Sequence, residues 1–573
     1  MKFKRSDWIF FAVLAAAVAA VFGRSVFFEI NLIDDNIYAG RAEQLTCTWE
    51  NIKYWWKPVI GLWSPLTGYS FMLDQLIWGA ENMSFGAHFC NIVLHFIAGC
   101  GFYACLRFLK FSPFVSGLAV LFWALHPQRP ESVVWVSERK DVLILAMGLW
   151  SIFLFMLAKK RESIFLFFLC GVLFGLSFAV KPALIGIPAV LTAYLWSRYR
   201  RKDIGFYLKY TGAYWLMSFV CFGLFRLLGS TPGIGDASGV GETLAVTGWR
   251  FGNYLFKTFV PVGLNPFYPH FSMTDSSLLP LFAAGITGVV LFLFLYRRNR
   301  QAWYLYFPLF IAFSAAVAPA LTYIGDVDFA DRYSYFPSVF AVTAAACGIC
   351  SFCNHHPRYR KAVAVIVCCL VIATGYYGYR RCFIWENKII NNAAALDCEK
   401  PNYRCLIVEA IEAFYREDFR AVEKSLQRLN TDYINDNEER RDTVKLFTAS
   451  LKGVLLIRSG KLHHGLAVLE PVIVKKNWFL IFNSTYEYPF LVLKNTAMAY
   501  RKTGQFGKAA IMYRGIAAEY LLNRNYFESE YYSALAAYTL NDRAGAVRHF
   551  ENALRIKPDD EVRKSLESLK KSR

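Results

Sequence analysis

The sequence predicts a mainly α-helical protein with two parts: a polytopic membrane domain, followed by an α-solenoid of short helical repeats. The chain has 573 residues, of which 56% are hydrophobic, and its mean hydropathy is +0.30. Long apolar runs begin at residue 8 and continue to about residue 380, whereas the rest of the chain is mixed and polar. We therefore assign residues 1–384 to the membrane domain and residues 385–573 to the repeat domain.

The apolar runs predict about eleven transmembrane helices, because a helix needs ~17 or more residues to cross a bilayer. A further short segment at 249–262 is predicted to lie in the interface or to re-enter the membrane. The predicted spans are 8–23, 87–106, 112–126, 141–158, 163–180, 183–197, 205–228, 276–296, 302–324, 334–353 and 362–379.

Clusters of Lys and Arg flank alternate spans, which orients the protein because cytoplasmic loops are enriched in these residues. The pattern predicts a cytoplasmic N-terminus and an extracytoplasmic C-terminal region. Arg380 and Arg381 are exceptions, since they follow the last span on the outer side. A cleaved signal peptide is the rival interpretation of the N-terminus, but no small-residue cleavage site stands out after Phe22, so we expect the first helix to be retained.

The net charge of +20 follows from these basic loops, and we expect no nucleic-acid partner. The 14 cysteines show no pairing with the spacing of a zinc site. Cys398 and Cys405 could form a disulfide if the C-terminal region faces an oxidising compartment. The sequence leaves that pairing open.

The C-terminal region contains tandem copies of a pattern typical of tetratricopeptide (TPR) units, with small residues and an aromatic at set offsets. In AGAVRHFENALRIKPDD the pattern is carried by Ala546, Phe550, Ala553 and Pro558. A second good copy lies in AMAYRKTGQFGKAAIMY, and weaker copies lie at 410–426 and 453–469. An array of this kind binds peptides or proteins in a concave groove, although it could instead be a structural cap on the membrane domain.

Charged and polar residues concentrate on the predicted outer face, where ionisable groups near spanning helices are costly and therefore indicate function. The first outer loop contains Asp34, Asp35 and Tyr38 in NLIDDNIYAG. The others are His126, Glu131, Arg139 and Asp141 in HPQRPESVVWVSERKD, Lys181 in FAVKPAL, His270 in VPVGLNPFYPH, and Asp331 and Arg332 in GDVDFADRYSYFP.

This combination of residue types suits transfer from a lipid-linked phosphosugar. An acid near the membrane surface can deprotonate an incoming hydroxyl, and Lys or Arg can bind a departing phosphate. Each residue also has a structural explanation. His126 with Pro127 could end a helix, and the pairs Arg139–Asp141 and Asp331–Arg332 could be local ion pairs.

In their order along the chain, these stretches resemble the class C (GT-C) glycosyltransferases. More narrowly, the chain resembles the membrane-plus-tetratricopeptide family that includes the cadherin-directed O-mannosyltransferases and bacterial relatives. The FYPH element is more similar to the bacterial members, so we expect a bacterial inner membrane with the repeats in the periplasm. The matching stretches are DDNIY, WSPLTGYSFMLDQLIWG with HFCNIVLH, ALHPQRPESVVWVSERKDVL, LSFAVKPALIGIPAV, VPVGLNPFYPH and ADRYSYFPS, followed by the repeats.

The resemblance implies an inverting transfer of a sugar from a polyprenyl-phosphate donor to an extracytoplasmic acceptor. It maps the catalytic base onto Asp34, with Asp35 in support, and makes Glu131 a second acid near the donor or acceptor. One departure is that the family commonly has Lys-Glu where this chain has Lys181-Pro182. The candidates for the donor phosphate are Arg139, Lys181 and Arg332, and the supporting residues are Tyr38, His126, Asp141, His270 and Asp331.

No metal-binding pattern is evident, and a monophosphate donor does not require a metal, although a transient divalent cation near Asp34, Asp35 and Glu131 stays open. The repeats favour a protein hydroxyl as acceptor, with glycan or lipid as alternatives. A second possibility is a lipid-linked glycan transporter, which would be expected to have charges near the midplane of the membrane and paired broken helices. A third possibility is a non-catalytic scaffold for envelope glycan assembly.

Overall fold

A computed structural model shows a helical protein, and no β-strand occurs in the part of the chain that it describes. An isolated antiparallel bridge pairs Val59 with Leu62. The described residues are 3–31, 34–59, 62–199, 202–227, 240–268, 300–322, 329–386, 402–433, 438–475, 487–522 and 525–571.

The chain divides into two compact units. The first unit contains Met1–Asn31 and Cys47–Asn402, and the second contains Leu32–Thr46 and Tyr403–Arg573. The second unit therefore includes a segment of the predicted first outer loop as well as the C-terminal region. The functional division at residues 384 and 385 stays a prediction.

Helices occupy ten of the predicted spans, and the span predicted at 276–296 lies outside the described residues. In the described part, five helical segments are long and apolar enough to cross a membrane: Arg5–Phe27, Met83–Phe108, Val136–Arg161, Pro337–His355 and Pro357–Trp385. The total of eleven spans stays a prediction. The other long helices of the first unit are Pro65–Trp78, Pro113–Ala124, Ile164–Phe178, Ile187–Arg198, Ile204–Leu227, Val240–Phe259 and Arg300–Thr322.

A buried carboxylate joins the first helix, Arg5–Phe22, to the helix Met83–Phe108. The Tyr103 hydroxyl and Arg107 Nε donate to Asp7 Oδ1 at 2.7 and 2.9 Å, and the Lys4 backbone N–H donates to Oδ2 at 2.7 Å. Because a buried charge is tolerated only when it is paired and hydrogen-bonded, these contacts fix the register of the two helices.

The second unit is built largely from consecutive helices that pack as antiparallel neighbours. Ala497, Ala509, Ala546 and Ala553, small residues of the two good repeat copies, are all fully buried. The C-terminal helices are Tyr403–Tyr415, Phe419–Tyr433, Glu438–Arg458, Leu462–Ile473, Glu487–Lys502, Phe506–Leu522, Tyr526–Thr539, Arg543–Ile556 and Asp560–Lys571.

Glycines allow a close approach between two of these helices, Glu438–Arg458 and Leu462–Ile473. A Cβ on Gly465 would lie 2.9 Å from the Gly453 carbonyl oxygen, so neither position has room for a larger side chain without a shift. The unit thus has the helical-hairpin architecture that the sequence predicts, while its assignment to the TPR type stays a prediction. Cys405 is buried, and Cys398 lies outside the described residues, so the disulfide also stays a prediction.

Candidate functional site

The predicted second outer loop, residues 126–141, is buried along its whole length although it carries many ionisable side chains. The helix Pro113–Ala124 ends before it, and the short helices Arg129–Val133 and Val136–Glu138 fold the loop back before the helix Arg139–Arg161 begins. Burying an unpaired charge in a protein interior costs on the order of several kcal/mol. The partners of these side chains therefore define the site.

Glu131 pairs with Arg332, which belongs to the short helix Asp331–Ser334. The Arg332 guanidinium donates to Glu131 Oε1, and the Arg332 backbone N–H donates to Oε2 at 3.1 Å. Burial raises the pKa of Glu131 to about 7, although the charge of Arg332 acts in the opposite direction. Glu131 can therefore gain or lose a proton near neutral pH.

Lys181 lies against two further carboxylates of the loop. Its Nζ is 2.8 Å from Asp141 Oδ1 and 3.9 Å from Glu138 Oε2. Burial opposes the charged form of Lys181, but Asp141 and Glu138 outweigh it and raise the pKa of the amine. Lys181 is therefore a permanent cation at physiological pH.

The two cations are more accessible to solvent than the acids that hold them. The side chains of Lys181 and Arg332 are 18% and 11% exposed, whereas those of Glu131, Glu138 and Asp141 are 1%, 5% and 7% exposed. This Lys181–Arg332 cluster therefore exposes its two positive charges more than the three carboxylates that pair with them. Such an arrangement suits an anionic ligand that approaches from outside.

Asp331, beside Arg332, is the centre of an adjoining network. Its Oδ2 is 3.1 Å from Arg381 Nη2, and its Oδ1 accepts hydrogen bonds from the Tyr268 hydroxyl at 2.7 Å and from Gln128 Nε2 at 3.3 Å. Burial raises the pKa of Asp331, while Arg381 and the hydrogen bonds oppose the shift.

Arg139 lies in a separate buried network. Its guanidinium donates to Asp74 Oδ2 at 2.7 Å, to the Ala87 carbonyl at 2.8 Å and to Asn91 Oδ1, and lies 4.4 Å from the centre of the Phe71 ring. Arg139 is only 1% exposed. These contacts join the helices Pro65–Trp78, Met83–Phe108 and Arg139–Arg161; the role of Arg139 at the donor phosphate stays a prediction.

The ion pairs differ from the local ones that the sequence suggests. Arg139 pairs with Asp74 and not with its neighbour Asp141, and Asp331 pairs with Arg381 and not with Arg332. Sequence reasoning missed three charged members of these networks, Asp74, Arg381 and Glu138. Asp74 carries a signal, a carboxylate inside the apolar run FMLDQLIW, and so does Arg381, an exception to the charge pattern; Glu138 carries none.

The remaining sequence-predicted residues are found in the first unit, in the second unit and outside the described part. His126 is buried and accepts a hydrogen bond on Nδ1 from the Gln128 backbone N–H at 3.3 Å. His270 lies outside the described residues. Asp34, Asp35 and Tyr38 belong to the second unit.

Within that unit, Asp34 directly precedes the short helix Asp35–Tyr38 and has a φ of 60°. A positive φ is uncommon for a residue other than glycine and costs of order 1–3 kcal/mol where it is strained. Asp35 and Tyr38 are buried, at 1% exposure each. Strain of this kind clusters at functional sites, which favours a role for Asp34.

Among the described residues, no group of three or more His, Cys, Asp or Glu side chains is arranged to hold a metal ion. The cation considered for Asp34, Asp35 and Glu131 stays an open prediction, since the first two belong to one compact unit and the third to the other.

No protein-family model matches the chain, and no curated protein matches it. Its fold is similar to the apo crystal structure of the Archaeoglobus fulgidus oligosaccharyltransferase, with a TM-score of 0.42 and 13% identity over 77% of this chain and 59% of that chain. The same enzyme in complex with an inhibitory peptide and a dolichol-phosphate gives a TM-score of 0.39 and 13% identity over 73% and 59% of the two chains.

This chain therefore spans about three fifths of the length of the oligosaccharyltransferase, 59% in both cases. At this level of likeness, neither the activity nor the ligands of that enzyme transfer to the chain.

Proposed function

We propose that the protein is an integral-membrane glycosyltransferase of the GT-C type. It moves a sugar from a polyprenyl-phosphate donor to an acceptor on the extracytoplasmic face, as the resemblance to the membrane-plus-tetratricopeptide family implies. The observation that carries the proposal is the pair of accessible cations, Lys181 and Arg332, in contact with the buried acids Glu131, Glu138 and Asp141.

The pair suits the phosphate of such a donor. The donor is a phosphodiester, and its phosphate gains negative charge as the bond to the sugar breaks and the polyprenyl phosphate leaves as a monoester. Charge-assisted hydrogen bonds from Lys and Arg stabilise that charge. Asp141 and Glu131, the closest partners of the two cations, hold them in place before the donor arrives, which lowers the reorganisation needed in the reaction.

In the proposed reaction Asp34 removes the proton of the acceptor hydroxyl as the acceptor oxygen forms a bond to the anomeric carbon. The bond from that carbon to the phosphate oxygen breaks, and its electron pair stays on the polyprenyl phosphate. Lys181 and Arg332 stabilise this leaving group. A single displacement of this kind inverts the configuration of the anomeric carbon.

The C-terminal helical hairpins are proposed to bind the acceptor. The groove of a helical-repeat array accommodates extended chains, which favours a protein or peptide hydroxyl over a glycan or lipid. In this proposal the protein spans a bacterial inner membrane and the second unit works in the periplasm.

The experiment is incubation of membranes containing the full chain with a panel of polyprenyl-phosphate sugars, with acceptor modification read by mass spectrometry. We expect transfer from one donor class, and its loss in Arg332→Ala. Lys160→Ala, at an exposed lysine of the Arg139–Arg161 helix, is the matched control and should retain transfer. No transfer from any donor favours the scaffold, and donor movement across vesicles without transfer favours the transporter.

A further inference from the structure

We propose that Arg381 is a positioning residue that holds Arg332 in place through Asp331. The proposal rests on the proposed function in one respect, namely that Arg332 contacts the donor phosphate. The sequence pattern leaves Arg380 and Arg381 unexplained, because both follow the last predicted span, 362–379, on the side opposite the Lys and Arg clusters that orient the protein.

The two arginines differ in the structure although they are neighbours at the end of one helix, Arg360–Cys382. Arg380 is exposed, whereas Arg381 is 7% exposed and its Nη2 is 3.1 Å from Asp331 Oδ2. A buried arginine is costly unless it is paired, so Arg381 is explained by its ion pair and not by membrane topology.

Asp331 is held from three sides by segments that are far apart in sequence. Besides Arg381, it accepts hydrogen bonds from Gln128 in the second outer loop and from Tyr268, and Tyr268 in turn accepts on its carbonyl a hydrogen bond from Asn402 Nδ2 at 2.9 Å. Lys257 is also near Asp331, but its Nζ donates to the Val262 and Gly263 carbonyls. Among the described residues, Arg381 is the cation in ion-pair contact with Asp331.

The position of Asp331 sets that of Arg332, because the two are consecutive in a short, tightly bonded helix. Ser334 Oγ donates to the Asp331 carbonyl at 2.7 Å, and Ser334 is contacted by Arg129 at 3.3 Å. The Arg332 backbone N–H reaches Glu131 at 3.1 Å, so a small movement of this helix breaks the contact between Arg332 and Glu131. Misplacement of a binding group by about 1 Å can lower a rate by ~10²-fold.

The test compares Arg381→Gln with Arg380→Gln in the full chain. Arg380 is the matched control, because it is the adjacent arginine of the same helix and is exposed. We expect Arg381→Gln to lower kcat/KM for the donor by at least about 10-fold, mainly through a higher KM, and we expect Arg380→Gln to have no effect. Arg381→Lys should restore part of the loss, since Lys can make a single ion pair with Asp331.

A second measurement does not depend on transfer. Modification of Arg332 by phenylglyoxal, followed by peptide mass spectrometry, reports how firmly the guanidinium is held, and it should be several-fold faster in Arg381→Gln than in Arg380→Gln. If Arg381→Gln does not fold, Tyr268→Phe removes a single hydrogen bond to Asp331 and should increase the labelling of Arg332 to a smaller extent.

The outcomes separate the two proposals. Faster labelling of Arg332 together with no transfer by the unmodified protein supports the positioning role and contradicts the proposed glycosyltransferase. Equal labelling in Arg381→Gln and Arg380→Gln overturns the positioning role, whatever the transfer activity. When the folding of Arg381→Gln is impaired, unchanged labelling in Tyr268→Phe overturns it in the same way.

Discussion

Glu138 lies between Lys181 and Arg332 and contacts both: its Oε2 is 3.9 Å from Lys181 Nζ and its Oε1 is 3.5 Å from Arg332 Nε. Each cation also has a closer partner, since Asp141 is 2.8 Å from Lys181 and Glu131 accepts two hydrogen bonds from Arg332. The closer partners therefore fix the two side chains, and Glu138 acts mainly through its negative charge.

This difference predicts the direction in which Glu138→Gln changes the KM for the donor. The amide keeps the shape of the side chain but removes a charge that opposes an incoming phosphate, so the donor KM should fall several-fold. Steady-state kinetics with the donor varied measures this. Glu81→Gln, at an exposed glutamate outside the cluster, should leave KM unchanged. A higher KM in Glu138→Gln would show that Glu138 positions the cations instead.

Lys181 is predicted to matter for the reaction and for folding, and the two effects can be separated. Lys181→Met removes a phosphate contact and leaves Asp141 buried without its ion-pair partner, so we expect kcat/KM to fall by ~10²-fold and the thermal unfolding midpoint to fall as well. The double variant Lys181→Met with Asp141→Asn also removes the unpaired negative charge of Asp141. It should recover the unfolding midpoint but not the transfer activity; recovery of both would mean that Lys181 is structural.

The raised pKa of Glu131 predicts that the stability of the folded protein depends on pH. Its pKa is about 7 in the folded protein against an ordinary value of 4.5, so the folded state binds the proton more tightly between these pH values. A group of this kind contributes stability that is complete below pH ~4.5 and is lost as the pH rises towards 7. Glu131→Gln stays neutral and does not lose this contribution.

The measurement is the unfolding midpoint of Glu131→Gln minus that of the unmodified protein, followed from pH 5 to pH 8. We expect the difference to rise with pH, and most of the rise should occur below pH ~7.5. Taking the difference removes the contributions of titratable groups that do not interact with Glu131. A difference that falls with pH would mean that the pairing with Arg332 outweighs burial.

The ion pair between Arg139 and Asp74 is predicted to have a structural role. Both side chains are almost fully buried, and removing one partner of such a pair costs about 3–5 kcal/mol, so Asp74→Ala should strongly lower the unfolding midpoint. Replacing both, with Asp74→Leu and Arg139→Met, should recover most of that loss. If the double variant folds but does not bind the donor, the sequence-predicted contact of Arg139 with the phosphate is supported.

The helical architecture could be predicted from the sequence because membrane spans and helical repeats leave local signals. Long apolar runs located ten helices of the first unit, and small residues at repeat offsets located positions such as Ala497 and Ala546 that are buried in the second. Both signals come from residues that are close together in the chain, so they can be recognised in the sequence alone.

The pairing of the buried charges could not be predicted, because the partners are far apart in the chain. Arg332 meets Glu131 across 201 positions, and Arg139 meets Asp74 across 65. The sequence indicates which residues are costly to bury, but only the packing of the helices decides which partner each one reaches. Local proximity therefore suggested Arg139–Asp141 and Asp331–Arg332, and the structure contains neither as an ion pair.

Asp34 gives the remaining prediction, because its backbone separates it from Asp35. Its φ of 60° is unfavourable for an aspartate, so Asp34→Gly should relieve strain and raise the unfolding midpoint slightly while removing the proposed base. Asp34→Asn keeps the size of the side chain, and it should fold normally and lose transfer by ~10²-fold or more. Asp35→Asn alters a buried side chain, so its main effect should be on stability. Transfer assays and thermal unfolding of the three variants distinguish these roles. Full activity in Asp34→Asn with no activity in a folded Asp35→Asn would move the base to Asp35, and in that case the strain at Asp34 would serve to direct its neighbour.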